Sequence, residues 1–242
     1  MIVSRCMVSG QGTSIRKDVP EESKPVFLDC AKLLASEFAA RAAQHDRDAS
    51  FPFENFKELS EAGLLALTVP TALGGAGAGA LDAARIIGIF GKADPSTALV
   101  LSMHYIQHLV MARSTRWPGR LSRKLAREAV EGVALINALR VEPDLGSPAR
   151  GGLPATIARK TETGWRLSGR KIYSTGAPIL KWYAVWAKTD EPETRVGLFL
   201  VPAGLSGTRI VETCQEMRTP SGASAFSSSP LVLRIAVSVD DF

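Results

Sequence analysis

Two hydropathy periods divide the 242-residue chain near residue 135. Ahead of that point, apolar residues recur every three to four positions. Phe27, Ala31, Leu34, Phe38 and Ala42, with charges between them, predict an amphipathic helix over 25–43. A short helix is predicted over 53–62, stopped by Gly63. Asp94 followed by Pro95 reads as an N-cap and first helical residue, opening a long apolar helix to about Arg113. Trp117-Pro118 breaks that run, and a further helix follows over 120–131, closed by Gly132.

Beyond residue 133 the segments shorten and alternate. VALINAL, LPATIARK, GWRLSGRKIYS, KWYAVWAK, RVGLFLVP and LVLRIAVSV read as six strands set apart by Gly, Pro and acidic turns. In the third, Trp165, Leu167, Gly169, Lys171 and Tyr173 fall on one face; Arg166, Ser168, Arg170, Ile172 and Ser174 fall on the other. The fold class expected is α+β: an all-helical N-terminal domain, then a small antiparallel β-barrel or sandwich. The divisions predicted are a flexible N-terminus over 1–24, a helical domain over 25–132, a β domain over 133–218 and an atypical tail over 219–242, which opens with the polar tract TPSGASAFSSSP.

Composition narrows the class. Three widely spaced cysteines, Cys6, Cys30 and Cys214, form neither a CxxC pair nor a disulfide framework, which fits a reducing compartment. The stretch 98–112 is interrupted by Ser102, His104, Gln107 and His108, short of the roughly 18 apolar residues of a membrane span. The N-terminus lacks the apolar core of a secretory signal, so a cytoplasmic protein without membrane association is expected. Net charge is +5, with a local excess at Arg113, Arg116, Arg120, Arg123, Lys124 and Arg127. That run reads as a solvated helix face or as a patch for a polyanionic ligand; no nucleic-acid module is visible.

Candidate chemistry starts with the glycine-rich run at 73–80, which can be fitted to GxGxxA at Gly75, Gly77 and Ala80, with Asp94 as the ribose acid. No strand feeds straight into it, so a glycine loop between helices is the expected reading. His104 and His108 share a helix face but lack a companion acid or a third ligand, and no metal site is predicted. The β half offers two strand-end loops. One is Leu139 to Pro148; the other is Lys171-Ile172-Tyr173-Ser174-Thr175-Gly176. Backbone amides, hydroxyls and an aromatic face suit a flat heteroaromatic ligand with polar edges.

Together these segments resemble the acyl-CoA dehydrogenase superfamily of flavoproteins. VEPDLGSP at 141–148 is similar to the family's TEPxxGSD-like segment, and SGRKIYSTGAP at 168–178 to its GxKxx[IS]TG-like segment. VPTALGGAG at 69–77 resembles the Pro…GGxG phrase of the helical domain, and the resemblance runs from about Pro25 to Met217. It implies FAD, or alternatively FMN, as cofactor. It places Leu139 and Val141 at the pyrimidine edge of the ring and Gly146 and Ser147 by the pyrophosphate or substrate entrance. Tyr173 would pack on the flavin, with Ser174 and Thr175 beside it and the Thr175 hydroxyl near N5. His104 and Ser147 would line the substrate pocket. The activity implied is FAD-dependent oxidation of the CH–CH group of an acyl thioester in fatty acid metabolism, with an acyl-CoA or related substrate and homo-oligomer formation as partners.

This sequence departs from the family pattern at Val141, where a threonine is usual, at Pro148, where an aspartate is usual, and after Met217-Arg218. The family's C-terminal four-helix bundle, which carries its glutamate base, has no counterpart in the pattern, and no catalytic base is assigned; Glu142 and Asp144 belong to the flavin loop. A truncated member with an altered reading frame at its end is expected, binding FAD weakly and inactive as an isolated chain. A flavin-dependent monooxygenase with histidine as base, and a non-catalytic interaction module, are the alternative functions.

Overall fold

The computed structural model describes residues 24–145, 151–212 and 231–240. Five α-helices come first: α1 (Lys24–Asp48), α2 (Phe53–Glu61), α3 (Ala80–Ala93), α4 (Pro95–Arg113) and α5 (Gly119–Glu131). Seven strands follow: β1 (Leu135–Leu139), β2 (Ile157–Lys160), β3 (Gly164–Lys171), β4 (Leu180–Thr189), β5 (Val196–Pro202), β6 (Thr208–Glu212) and β7 (Leu231–Asp240). The chain divides into two units between Leu135 and Ile136, where the hydropathy period changes.

In the helical unit, α1 buries Ala31, Leu34 and Phe38, and Phe38 stacks on Phe90 of α3 with ring centroids 5.2 Å apart. Arg41 on α1 grips Glu58 on α2 through two hydrogen bonds of 2.9 and 2.7 Å. The long helix α4 is apolar on most sides because it is buried on most sides; Ala98, Leu101 and Tyr105 have almost no exposed surface. The hydropathy pattern does not delimit helix α3. Gly88 and Gly91 lower its local propensity, and burial of Ala83, Ile86 and Phe90 overrides that deficit.

The start of α4 is built as the sequence predicts. Asp94 accepts the Ser96 N–H at 3.0 Å, and Pro95 occupies the first turn. The same carboxylate accepts the Thr97 hydroxyl at 2.6 Å and the Asn55 amide at 3.0 Å, so the cap also ties α2 to α4 inside the core. Asp94→Ala is therefore expected to cost about 2 kcal/mol, more than an exposed cap, because two buried donors lose their acceptor. Urea unfolding checks this, with Asp94→Asn as the milder variant.

The glycine run is a loop, and its chemistry excludes a dinucleotide cradle. Two 3₁₀ turns, Leu64–Ala66 and Thr71–Leu73, lead into it in place of a strand. The amides of Ala76, Gly77 and Ala78 donate to the carbonyls of Ala66, Val69 and Leu67, so they are not available to a pyrophosphate. A Cβ at Gly75 would overlap the Val69 carbonyl, which gives that glycine a packing role.

The β unit is a mixed sheet of order β1-β4-β2-β3-β7-β6, with β5 also on β4. Among the described residues no pairing closes it into a barrel. Pairs β2–β3, β3–β7, β4–β5 and β6–β7 are antiparallel, whereas β2–β4 is parallel, against the all-antiparallel expectation. Strand β6, only five residues long, escapes the hydropathy pattern. The last predicted strand forms β7 and pairs with β3 over eight positions, from Gly164↔Asp240 to Lys171↔Leu233. Core packing centres on β4, where Trp182, Tyr183, Ala184, Val185 and Ala187 are buried.

The alternation predicted along β3 holds through Lys171 and then inverts. Leu167 and Lys171 are buried while Arg166, Ser168 and Arg170 are exposed. At Tyr173 the backbone enters the left-handed region (φ 53°), turning Tyr173 outward and Ser174 inward. The period-2 rule ends with the extended backbone that produces it.

Candidate functional site

The two strand-end loops singled out in the sequence meet in the β unit. The Ile172 N–H donates to the Val141 carbonyl at 3.0 Å. Asn137 on β1 donates from Nδ2 to the Thr175 carbonyl at 3.0 Å. Loop 139–145 and loop 171–176 therefore form one edge. Leu139 lies beneath it, buried; Val141 is half-buried.

Each candidate side chain on the second loop is presented differently. Tyr173 is 61% exposed, on backbone that a non-glycine residue adopts only when its surroundings hold it there. The Ser174 hydroxyl is buried with no hydrogen-bond partner. Thr175 is half-buried, and its N–H donates to the Tyr173 carbonyl at 2.8 Å. The open Tyr173 side chain and the half-buried Thr175 beside it suit a planar heteroaromatic group with polar edges, whereas the inward Ser174 hydroxyl lies away from that face. Gly146 and Ser147, assigned to the pyrophosphate or substrate entrance, lie outside the described residues.

Beneath the edge sits an ionic cluster that the sequence reading missed. Lys171 Nζ contacts Glu142 Oε1 at 2.6 Å, with side chains 0% and 2% exposed. Glu142 also accepts the Ala155 N–H at 2.6 Å, the Thr156 N–H at 3.0 Å and the Thr156 hydroxyl. Burial alone would raise the Glu142 pKa; the Lys171 ammonium, the Thr156 hydroxyl and the two amides outweigh it and hold the carboxyl below its usual range. Burial pulls the Lys171 pKa down, and Glu142 opposes that fall. Glu142 is thus engaged beneath the loop, and Asp144 is exposed beside it. One sequence signal could have revealed the cluster: Lys171 occupies an inward position of an alternating strand, and a buried ammonium requires an acid.

His104 and His108 belong to the helical unit. Both are buried, and their rings meet edge to face with centroids 4.6 Å apart. His104 Nε2 lies 2.9 Å from the Leu65 carbonyl, which can only accept, so that nitrogen carries the proton. His108 Nε2 is buried without a partner. Burial lowers the pKa of His104 to about 4, and burial together with the neighbouring His104 lowers that of His108, so both rings are neutral at pH 7. Among the described residues, no group of three His, Cys, Asp or Glu side chains could hold a metal ion. The cations from Arg113 to Arg127 are exposed, opposite the buried Leu121, Leu125, Ala126 and Ala129 of α5. Among the described residues, no helix is long and apolar enough to cross a membrane.

Comparison with known proteins bears on both units. The family model for the acyl-CoA dehydrogenase N-terminal domain matches residues 20–114, and that for the middle domain matches residues 140–234. YdbM of Bacillus subtilis (strain 168), a candidate acyl-CoA dehydrogenase, is 33% identical over 184 residues, 76% of this chain and 48% of that protein. L-evernosamine nitrososynthase of Micromonospora sp. (strain ATCC 39149 / NRRL 15099 / SCC 1413) is 31% identical over 166 residues, 66% of this chain and 38% of that enzyme. The structure of KijD3 in complex with FMN and dTDP-3-amino-2,3,6-trideoxy-4-keto-3-methyl-D-glucose superposes with a TM-score of 0.72 at 28% identity, covering 90% of this chain and 56% of KijD3. The chain spans about half the length of the curated relatives it matches.

Proposed function

We propose that this chain, which belongs to the acyl-CoA dehydrogenase superfamily, supplies one wall of a flavin site and serves a flavin-dependent oxidation. The observation that carries this reading is the joined edge: loops 139–145 and 171–176 are held together by the Ile172–Val141 and Asn137–Thr175 hydrogen bonds. Bound flavin would supply the two-electron chemistry. The chain's own residues bind and orient it. The Tyr173 ring covers the ring face, the Thr175 hydroxyl bonds its polar edge, and Leu139 keeps the floor dry.

Two reactions are compatible with such a wall. Oxidation of an acyl thioester with FAD is supported by membership of the superfamily and by likeness to dehydrogenases such as the short-chain specific enzyme of Mus musculus. Oxygenation with FMN is the second reading. Likeness to a nitrososynthase and to FMN-bound KijD3 supports that second reading.

Titrating the full chain with FMN and FAD tests the proposal. Saturable quenching of flavin fluorescence is expected, weakened about tenfold by Thr175→Val or Tyr173→Ala. An unchanged flavin signal in native wild-type protein would remove the reading. With flavin bound, anaerobic bleaching by an acyl-CoA selects dehydrogenation, and oxygen uptake with reduced FMN selects oxygenation.

A further inference from the structure

We infer that Lys171 and Glu142 are positioning residues that set the geometry of the flavin-facing edge, an inference that rests on the flavin reading above. Their ion pair lies one residue from each end of the main-chain link between the loops. Glu142 follows Val141, whose carbonyl accepts the bond, and Lys171 precedes Ile172, whose N–H donates it. A shift of either side chain therefore moves both ends of that link.

Three chain segments converge on the pair. Glu142 brings the loop after β1, Ala155 and Thr156 bring the lead-in to β2, and Lys171 brings the end of β3. The Trp186 ring of β4 lies 5.6 Å from Lys171 Nζ and closes the cluster from the sheet. Space for it comes from Gly169, where a Cβ would overlap the Thr156 side chain. Both charged groups are shielded from solvent, so neither touches a ligand; they act through Ile172, Tyr173 and Ser174, which they anchor. An apolar pair could fill this volume with similar stability, but would carry no direction. A carboxylate that accepts from two amides, a hydroxyl and an ammonium fixes the loop in one orientation, because each bond is lost if the loop turns. The sharp reversal at Tyr173 begins two residues beyond this anchor, which is where left-handed backbone needs support.

The test compares Glu142→Gln with Leu200→Ala, a core variant in β5 outside the cluster, in the full chain. Two quantities are read: native-state amide exchange at Ile172, and FMN affinity. Glu142→Gln is expected to speed exchange at Ile172 about tenfold or more and to weaken FMN binding by a similar factor. Leu200→Ala, with a comparable loss of melting temperature, leaves both near wild type. Thr156→Val deletes a single hydroxyl from the cluster and is expected to shift both readouts the same way by about threefold, which keeps the test decisive if Glu142→Gln does not fold. Unchanged Ile172 protection in a folded cluster variant, or an equal loss of flavin affinity in Leu200→Ala, overturns the inference. If wild type binds no flavin while Ile172 protection still falls in Glu142→Gln, the flavin reading fails and with it the positioning role. If wild type binds flavin and the cluster variants match it, the flavin reading stands and the positioning role falls.

Discussion

Lys171→Met is expected to lower the unfolding free energy of the β unit by about 3–5 kcal/mol, because it leaves a buried carboxylate without its cation. The Glu142 side chain is 2% exposed, so water cannot replace the ammonium. Without Lys171, burial acts on Glu142 with less opposition, and the carboxyl is driven toward its neutral form. The double variant Lys171→Met/Glu142→Gln should recover part of the loss: no unpaired charge remains, but the new amide NH2 faces one of the backbone N–H donors that the carboxylate accepted. Urea unfolding followed by tryptophan fluorescence reads this: Trp165, Trp182 and Trp186 lie in the β unit, and only Trp117 lies in the helical unit. A single variant that loses under 1 kcal/mol, or a double variant as unstable as the two singles combined, would contradict the cluster as described.

The second large effect is on the helical unit in acid. The His104 pKa is about 4 in the folded protein against 6.5 for the free ring, a depressed value caused by burial. Below pH 6.5 the unfolded chain binds a proton that the folded chain resists. Stability is therefore lost as pH falls from 6.5 toward 4, by about 3 kcal/mol for this one group. His108 is shifted in the same direction and adds to the fall. His104→Gln should flatten the profile between pH 6.5 and 4 relative to wild type, and Gln can keep a donor toward the Leu65 carbonyl. Glu142 behaves differently. Its pKa is held below 4.5, so its contribution is intact above 4.5 and is lost only as pH falls through the folded value. Acid should thus weaken the helical unit well before the Glu142 cluster. Parallel profiles for wild type and His104→Gln would contradict the placement of that ring.

Local chemistry made much of this legible in the sequence. The Asp94-Pro95 start of α4 needs only neighbouring residues, and the apolar stripe of α1 repeats over several turns. The two strand-end loops carry their hydroxyls, glycine and aromatic ring in short words. What the pattern missed depends on distant partners. Helix α3 contains two glycines and is held by Phe38 from another helix. The parallel β2–β4 pairing is a property of topology that alternation does not encode. The reversal at Tyr173 puts a non-glycine residue at positive φ, which no propensity favours. Lys171 is one position of an alternating face, and its buried partner, Glu142, lies 29 residues earlier, out of reach of any local pattern.

Amide chemical-shift mapping of the full chain with FMN and with FAD tests the central claim most directly, because it registers even weak binding and locates it. The account predicts that the amides of Val141, Ile172, Ser174 and Thr175 move together along one saturating curve, while those of Ala184 and Leu101 stay in place. Movement confined to one of the two loops, or shifts only elsewhere in the chain, would contradict it.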